Sequence, residues 1–248
     1  MLHNIDISIV VPVFNSAKTL RILFSRVDQV LKARGLCYEL ILVDDRSDDD
    51  SWRVIKEISR ANQEVKGILL DHNYGQWCAT LAGMSMSSGD YIVTIDDDLE
   101  YMPEDIITLY EYIKAHEFKV VFGIAVDKYR LQGKNTWMAK GRNNILNALW
   151  GKGVTDSFKI LKRELVFDDD SFIVDEHFEA FIKHRLSRSF WGYTSVKYEK
   201  RMIGASNHTF VKKTKLFFLF TVQYFSKSKR NPDWNISEIC YRNEIKSA

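Results

Sequence analysis

The sequence predicts an α/β fold: a mostly parallel central sheet flanked by helices in a single domain. Three observations predict it. Short β-branched apolar runs recur through the first half of the chain, and amphipathic helical patterns fill the intervals between them. The composition, 46% hydrophobic with 35 Lys+Arg against 33 Asp+Glu in 248 residues, is that of a globular chain able to bury a sizeable core, not of a disordered or fibrous one. Single α/β domains routinely reach this length.

The elements follow in order. Residues 7–13, 38–43, 66–70, 91–95 and 119–124 are nearly continuous apolar runs of strand length, as expected for parallel strands buried on both faces. Between the first two, Leu20, Leu23, Phe24, Val27, Val30 and Leu31 recur at helical spacing, with Ser16 placed to cap the start and Gly35 to end it. Residues 51–62, 76–87 and 103–115 repeat the pattern, and Pro103 sits at a first helical turn, where its missing N–H costs nothing. Beyond residue 125 the periodicity weakens. Helices over 135–150 and 175–186 and strands over 157–161 and 193–198 are the expectation there.

No run approaches the roughly 20 apolar residues that span a bilayer, and the N-terminus lacks a signal-peptide layout, so a cytoplasmic location is expected. Cys37, Cys78 and Cys240 fit neither a disulfide framework nor a zinc site and read as plain thiols. Charge is unevenly spread. Residues 1–182 carry 21 basic and 29 acidic side chains, residues 183–230 carry 12 and one, and residues 231–248 carry 2 and 3. A basic stretch late in the chain implies an anionic partner.

Sheets of this kind gather ligands at the carboxyl ends of their strands. The fourth run ends in Asp96-Asp97-Asp98-Leu99-Glu100, and like charges so crowded cost free energy unless a cation offsets them. In extended backbone Asp96 and Asp98 share a side while Asp97 points away, and two hard oxygen ligands suit Mg²⁺ or Mn²⁺. The alternative is a solvated acidic turn that caps the next helix. Asp44 and Asp45 end the second run; Asp45 is placed to accept hydrogen bonds from a base or ribose hydroxyl, while Ser47 to Asp50 cap the helix that follows. The first run ends Val10-Val-Pro-Val-Phe-Asn15, where Pro12 stiffens the turn and the Phe14 ring can lie near a base. Both glycine-rich phosphate loops, GxGxxG and GxxxxGK[ST], are absent, which weighs against a dinucleotide dehydrogenase or a P-loop ATPase.

In order along the chain, Pro12-Val-Phe-Asn15, Val43-Asp-Asp-Arg-Ser47, Asn73-Tyr-Gly75 opening a small-residue helix, Ser88-Gly-Asp-Tyr91, and Asp96-Asp-Asp-Leu99 followed by Pro103-Glu104 resemble the family 2 glycosyltransferases of the GT-A fold. Asp156-Ser-Phe-Lys-Ile-Leu-Lys-Arg163 and Arg201-Met-Ile-Gly-Ala-Ser-Asn-His-Thr209 are similar to segments of the dolichyl-phosphate mannose synthase-like branch. Ser16 stands where that branch often has Glu, Lys159 where it has Arg, and no transmembrane helices follow. The resemblance implies nucleotide recognition around Pro12, Phe14, Asn15 and Asp45, donor binding around Asn73, Gly75, Asp96 and Asp97, and Mg²⁺ or Mn²⁺ with the diphosphate at Asp96 and Asp98.

It also implies an inverting transfer, in which charge develops on the departing diphosphate. A hydroxyl acceptor then needs a base, for which Asp175 or Glu176 are the candidates; an ionised phosphate acceptor needs none. Those carboxylates equally suit a plain helix N-terminus, and the neighbouring His177 reads as a helix-face residue. Arg201, with Lys197 and Lys200 near it, precedes a loop able to wrap a phosphate. Residues 1–210 are expected to form the catalytic domain and 211–248 a basic, aromatic extension. Lys212, Lys213 and Lys215, then Phe217, Phe218, Phe220 and Tyr224, then Lys227, Lys229 and Arg230 suit an anionic membrane surface on the cytoplasmic face; the alternative is a helix packed on the domain. The expected partners are a nucleotide-sugar donor and a polyprenyl phosphate acceptor, or alternatively a lipid-linked glycan in polysaccharide biosynthesis. A nucleic-acid role is disfavoured, because the Asp96 and Asp98 pair has no purpose in it and no aromatic and basic interleaving of an RNA-reading sheet is found.

Overall fold

The computed structural model describes residues 5–125, 157–168, 171–172, 186–199, 235–241 and 244–247. The first half alternates strand and helix as the periodicity predicts: β1 (Ile7–Val13), α1 (Leu20–Ala33), β2 (Tyr38–Asp44), α2 (Ser51–Ala61), β3 (Val65–Leu70), α3 (Gln76–Ser85), β4 (Tyr91–Thr94), α4 (Asp105–Ala115) and β5 (Val120–Ala125). Then come β6 (Lys159–Lys162), a small hairpin of β7 (Phe167–Asp168) and β8 (Ser171–Phe172), β9 (Trp191–Val196), β10 (Ile236–Tyr241) and β11 (Glu244–Ser247). The large sheet runs β11-β10-β3-β2-β1-β4-β6-β5-β9. Neighbours β3, β2, β1 and β4 are parallel, as are β5 and β9. Strand β6 lies antiparallel between β4 and β5, and β10 antiparallel on β3.

Every residue of β1 is buried, and alternation sends its side chains to two layers. Ile7, Ile9, Val11 and Val13 face α1, α2 and α4 through Leu20, Leu23, Val27, Leu31, Val54, Ile55, Ile58 and Ile106. Val10 faces the other way, onto the Ala79, Leu81, Ala82 and Met84 face of α3. That helix lies close to the sheet because Gly83 has no side chain: a Cβ there would meet Val10 Cγ1 at 2.4 Å and Val43 Cγ2 at 3.0 Å. The small residues of α3 therefore set how near its first turn comes to the strand ends.

Helix boundaries show where tertiary contacts override local signals. Helix α1 ends at Gly35, with φ +65°, as expected, but its N-cap is Thr19 and not Ser16. The Ser16 carbonyl accepts bonds from the Thr19 N–H and hydroxyl at 3.0 Å each, while its own N–H donates to Ser51 Oγ at 2.8 Å. Ser16 thus joins the start of α1 to the start of α2. Pro103 lies just before α4, whose N-cap is Glu104. Cys37 is exposed, Cys78 half-buried and Cys240 of β10 buried against Ser59. Strands β10 and β11 come from a stretch read in the sequence only as extension. The expected helix over 135–150 and most of that over 175–186 lie outside the described residues. Among the described residues, no helix is long and apolar enough to cross a membrane.

Candidate active site

Strands β1, β2 and β4 end side by side, because Val13 pairs with Asp44 and Val10 with Thr94. The loop after each end holds a non-glycine residue in the left-handed region: Asn15 at φ +56°, Arg46 at φ +60° and Leu99 at φ +59°. L-residues adopt that backbone at a cost, and such strain collects where surrounding contacts over-determine a loop for function. Leu99 is fully buried, so packing holds it there.

The loops are tied to one another. Asn15 donates its N–H to Ser47 Oγ at 2.9 Å, and its Oδ1 accepts from the Asp48 and Asp49 amides at 2.8 and 3.3 Å. Phe14 donates its N–H to Asp97 Oδ2 at 3.1 Å. Asn15 and Asp97, both predicted near the donor, thus serve to hold the Phe14 turn between the β2 and β4 loops. Pro12 is buried within β1, two residues past the last pairing with β4, where its missing N–H is tolerated.

Asp44 and Asp45 are both buried. Asp45 Oδ1 accepts from the Tyr74 amide at 2.7 Å and Oδ2 from the Gly75 amide at 2.8 Å, so this carboxylate fixes the Asn73-Tyr74-Gly75 segment, where Gly75 has φ +91°. Burial pushes its pKa up to about 6, opposed by those two amides. Asp44 Oδ1 accepts from the Ser47 amide at 2.7 Å, while Oδ2 is buried with no hydrogen-bond partner among the described residues. Burial raises its pKa too. An unpaired buried carboxylate oxygen is costly. Sequence reasoning singled out Asp45 of this pair, and the structure buries both carboxylates.

At the end of β4, Asp96 Oδ1 accepts from Gln76 Nε2 and Oδ2 from Ser157 Oγ, both at 2.5 Å. Asp98 is 8% exposed, and its Oδ1 accepts from the Glu100 amide at 3.0 Å. Among the described residues no group of three or more His, Cys, Asp or Glu side chains is assembled to hold a metal. Two carboxylates from one strand end nevertheless fit Mg²⁺ or Mn²⁺, which take one or two protein carboxylates and complete their shell with phosphate oxygens and water. The loop's exit is tied to β9: Tyr198 donates its hydroxyl to Glu100 Oε2, and the Lys197 amide donates to Asp105 Oδ2 at 2.6 Å. Lys159 is 2% exposed, between Trp77 and Phe122, with its ammonium 6.0 and 5.9 Å from their ring centroids. Gln76 was read only as the start of a helix, and Ser157 and Glu100 only as members of longer segments, so their contacts at this site were missed. Asp175, Glu176 and Arg201 lie outside the described residues.

The family model described as Glycosyl transferase family 2 matches residues 8–166, from β1 through β6. The chain belongs to glycosyltransferase family 2. Similar solved structures include glucosyl-3-phosphoglycerate synthase from Mycobacterium tuberculosis in complex with Mn²⁺ and UDP-glucose, at TM-score 0.66 and 16% identity, covering 93% of this chain and 85% of that one. Mannosyl-3-phosphoglycerate synthase from Rubrobacter xylanophilus matches at TM-score 0.64 and 15% identity, covering 92% and 78%. At such identities these likenesses show the fold, which is the GT-A type expected. For this family 2 glycosyltransferase the matched region contains each of the strand-end loops just described.

Proposed function

We propose that this glycosyltransferase moves a sugar from a nucleoside-diphosphate sugar to a polyprenyl phosphate at the cytoplasmic membrane surface, with inversion. The observation that carries the donor half is the placement of Asp44, Asp45, Asp96 and Asp98 at the carboxyl ends of β2 and β4, the two neighbours of β1, in loops tied by Phe14, Asn15 and Asp97. Asp45, with Pro12, Phe14 and the Tyr74–Gly75 segment that it holds, is suited to meet the base or ribose of the donor. Asp96 and Asp98 would hold Mg²⁺ or Mn²⁺, which supplies positive charge against the departing diphosphate. The acceptor oxygen forms its bond to the anomeric carbon as the bond to the diphosphate breaks, and the diphosphate leaves with the electron pair.

The acceptor half rests on sequence: Arg201 with its loop, and the basic and aromatic residues 212–230. A phosphate acceptor is already ionised and leaves Asp175 and Glu176 without a catalytic task. Two other acceptors have support. A lipid-linked glycan fits Lys159, which stands where the carrier-charging branch has Arg, and a base at Asp175 or Glu176. A small phosphorylated hydroxy acid fits the fold likeness to a synthase crystallised with Mn²⁺, UDP-glucose and phosphoglyceric acid. Labelled nucleotide sugars with Mg²⁺ or Mn²⁺ test all three. Label entering a mild-acid-labile lipid with polyprenyl phosphate supports the proposal; label appearing only with native glycolipid, or only with 3-phosphoglycerate, replaces it with the corresponding alternative.

A further inference from the structure

Asp96 is held more tightly than a solvent-facing carboxylate needs to be. Gln76 and Ser157 each donate at 2.5 Å, one to either oxygen, from two different elements: the first residue of α3 and the residue two before β6. Two donors on the two oxygens fix the plane of the carboxylate as well as its position, and both are uncharged, so they orient it without neutralising it. Each donor is itself anchored. Gln76 follows directly on Tyr74 and Gly75, whose amides are gripped by the buried Asp45. The carbonyl of Ser157 accepts the hydroxyl of Thr94, the last residue of β4. A chain of contacts therefore runs from the end of β2 through the start of α3 to the end of β4, and closes on β6.

We propose that Gln76 and Ser157 are positioning residues that pre-set Asp96 for the divalent cation of the donor diphosphate, with Asp45 placing Gln76 in turn. The inference rests on reading the acidic edge as the donor site. Groups that orient a ligating carboxylate are worth roughly 10- to 100-fold in metal affinity. Merely structural contacts are not expected to move that quantity while leaving stability unchanged.

The test is Mn²⁺ binding, followed by electron paramagnetic resonance, with Mn²⁺ alone and with uridine or guanosine diphosphate, alongside thermal melting. Gln76→Ala and Ser157→Ala should each weaken Mn²⁺ binding roughly 10-fold or more with little change in melting temperature. Ser157→Thr, which keeps the hydroxyl, should restore it, and Gln76→Glu, which sets a second carboxylate against Asp96, should not. Asp98→Asn separates the two readings. Loss of Mn²⁺ binding in Asp98→Asn with undiminished binding in both alanine variants would overturn the positioning role and leave the site standing. No Mn²⁺ binding by the unaltered protein would overturn both.

Discussion

Strand β2 carries buried carboxylates at both of its ends, and the two ends treat them oppositely. At the amino end Glu39, 6% exposed, accepts bonds from Ser8 Oγ at 2.6 Å, the Ser88 amide at 2.7 Å and Ser88 Oγ at 2.8 Å, and pairs with Lys66 at 3.2 Å. Burial pushes its pKa up, but Lys66 and the serine donors together outweigh burial and leave it below its ordinary value. At the carboxyl end Asp44 and Asp45 are as deeply buried, accept from amides with no cation at hydrogen-bond distance among the described residues, and have raised pKa values. One end is a closed network that binds β1, β2, β3 and the approach to β4 together. The other has strained loops and an oxygen unpaired among the described residues.

The largest expected effect is at the closed end. Glu39→Ala leaves Lys66, Ser8 and Ser88 without their shared acceptor and should cost about 3–5 kcal/mol of stability in a urea titration, without a specific effect on donor binding. A loss below about 1 kcal/mol would break the contrast. At the open end Asp98→Asn should lower transfer about 10²- to 10³-fold while the melting temperature stays near that of the unaltered chain. Near-unaltered turnover in that variant would remove Asp98 from the mechanism.

Gly89 gives a smaller effect at the closed end. Its N–H donates to Ser8 Oγ at 2.8 Å, and a Cβ there would stand 2.7 Å from the Ser8 nitrogen and 2.8 Å from the Ile7 carbonyl carbon. Backbone cannot step aside as a side-chain tip can, so Gly89→Ala should cost about 1–3 kcal/mol. Unchanged thermal stability in Gly89→Ala would show that the contact can relax.

The pH response sharpens the comparison with opposite signs. Glu39, held low, contributes stability that is present above its ordinary value near 4.5 and is lost as pH falls through its lower folded pKa. Asp45, raised from 3.8 to about 6, is protonated in the folded chain between those values and ionised in the unfolded one, so its contribution declines as pH rises through that window. Asp45→Asn should therefore gain on the unaltered chain by on the order of 1 kcal/mol between pH 4 and pH 7, whatever the offset from a lost amide bond. A difference in stability that stays flat over this range would show that Asp45 titrates in the folded chain as it does in the unfolded one.

The closed end illustrates why one half of the architecture was legible and the other half less so. Ile7–Val13 and the Leu20-to-Leu31 stripe were readable because burial on two faces, or on one, imposes a period that few sequences show by chance. The acidic pairs were readable because carboxylates after apolar strands are costly unless used. Nothing local announced that β6 would run antiparallel between β4 and β5, or that Ile236–Tyr241 would pair on β3, since an apolar run carries no record of its partner's direction. Ser16 read as a cap, and its link to Ser51 moved the cap to Thr19.

By itself the sequence determined the alternation of strand and helix, the family, and the strand ends at which carboxylates gather, because periodicity and residue type along the chain encode them. The tertiary structure alone decided that Asp45 grips Tyr74 and Gly75, that Asp97 turns to Phe14, and that Gln76 and Ser157 meet on Asp96. Those are contacts between residues 20 to 83 apart in the chain, and a hydrogen bond depends on distance and direction in space, which spacing along the chain does not specify.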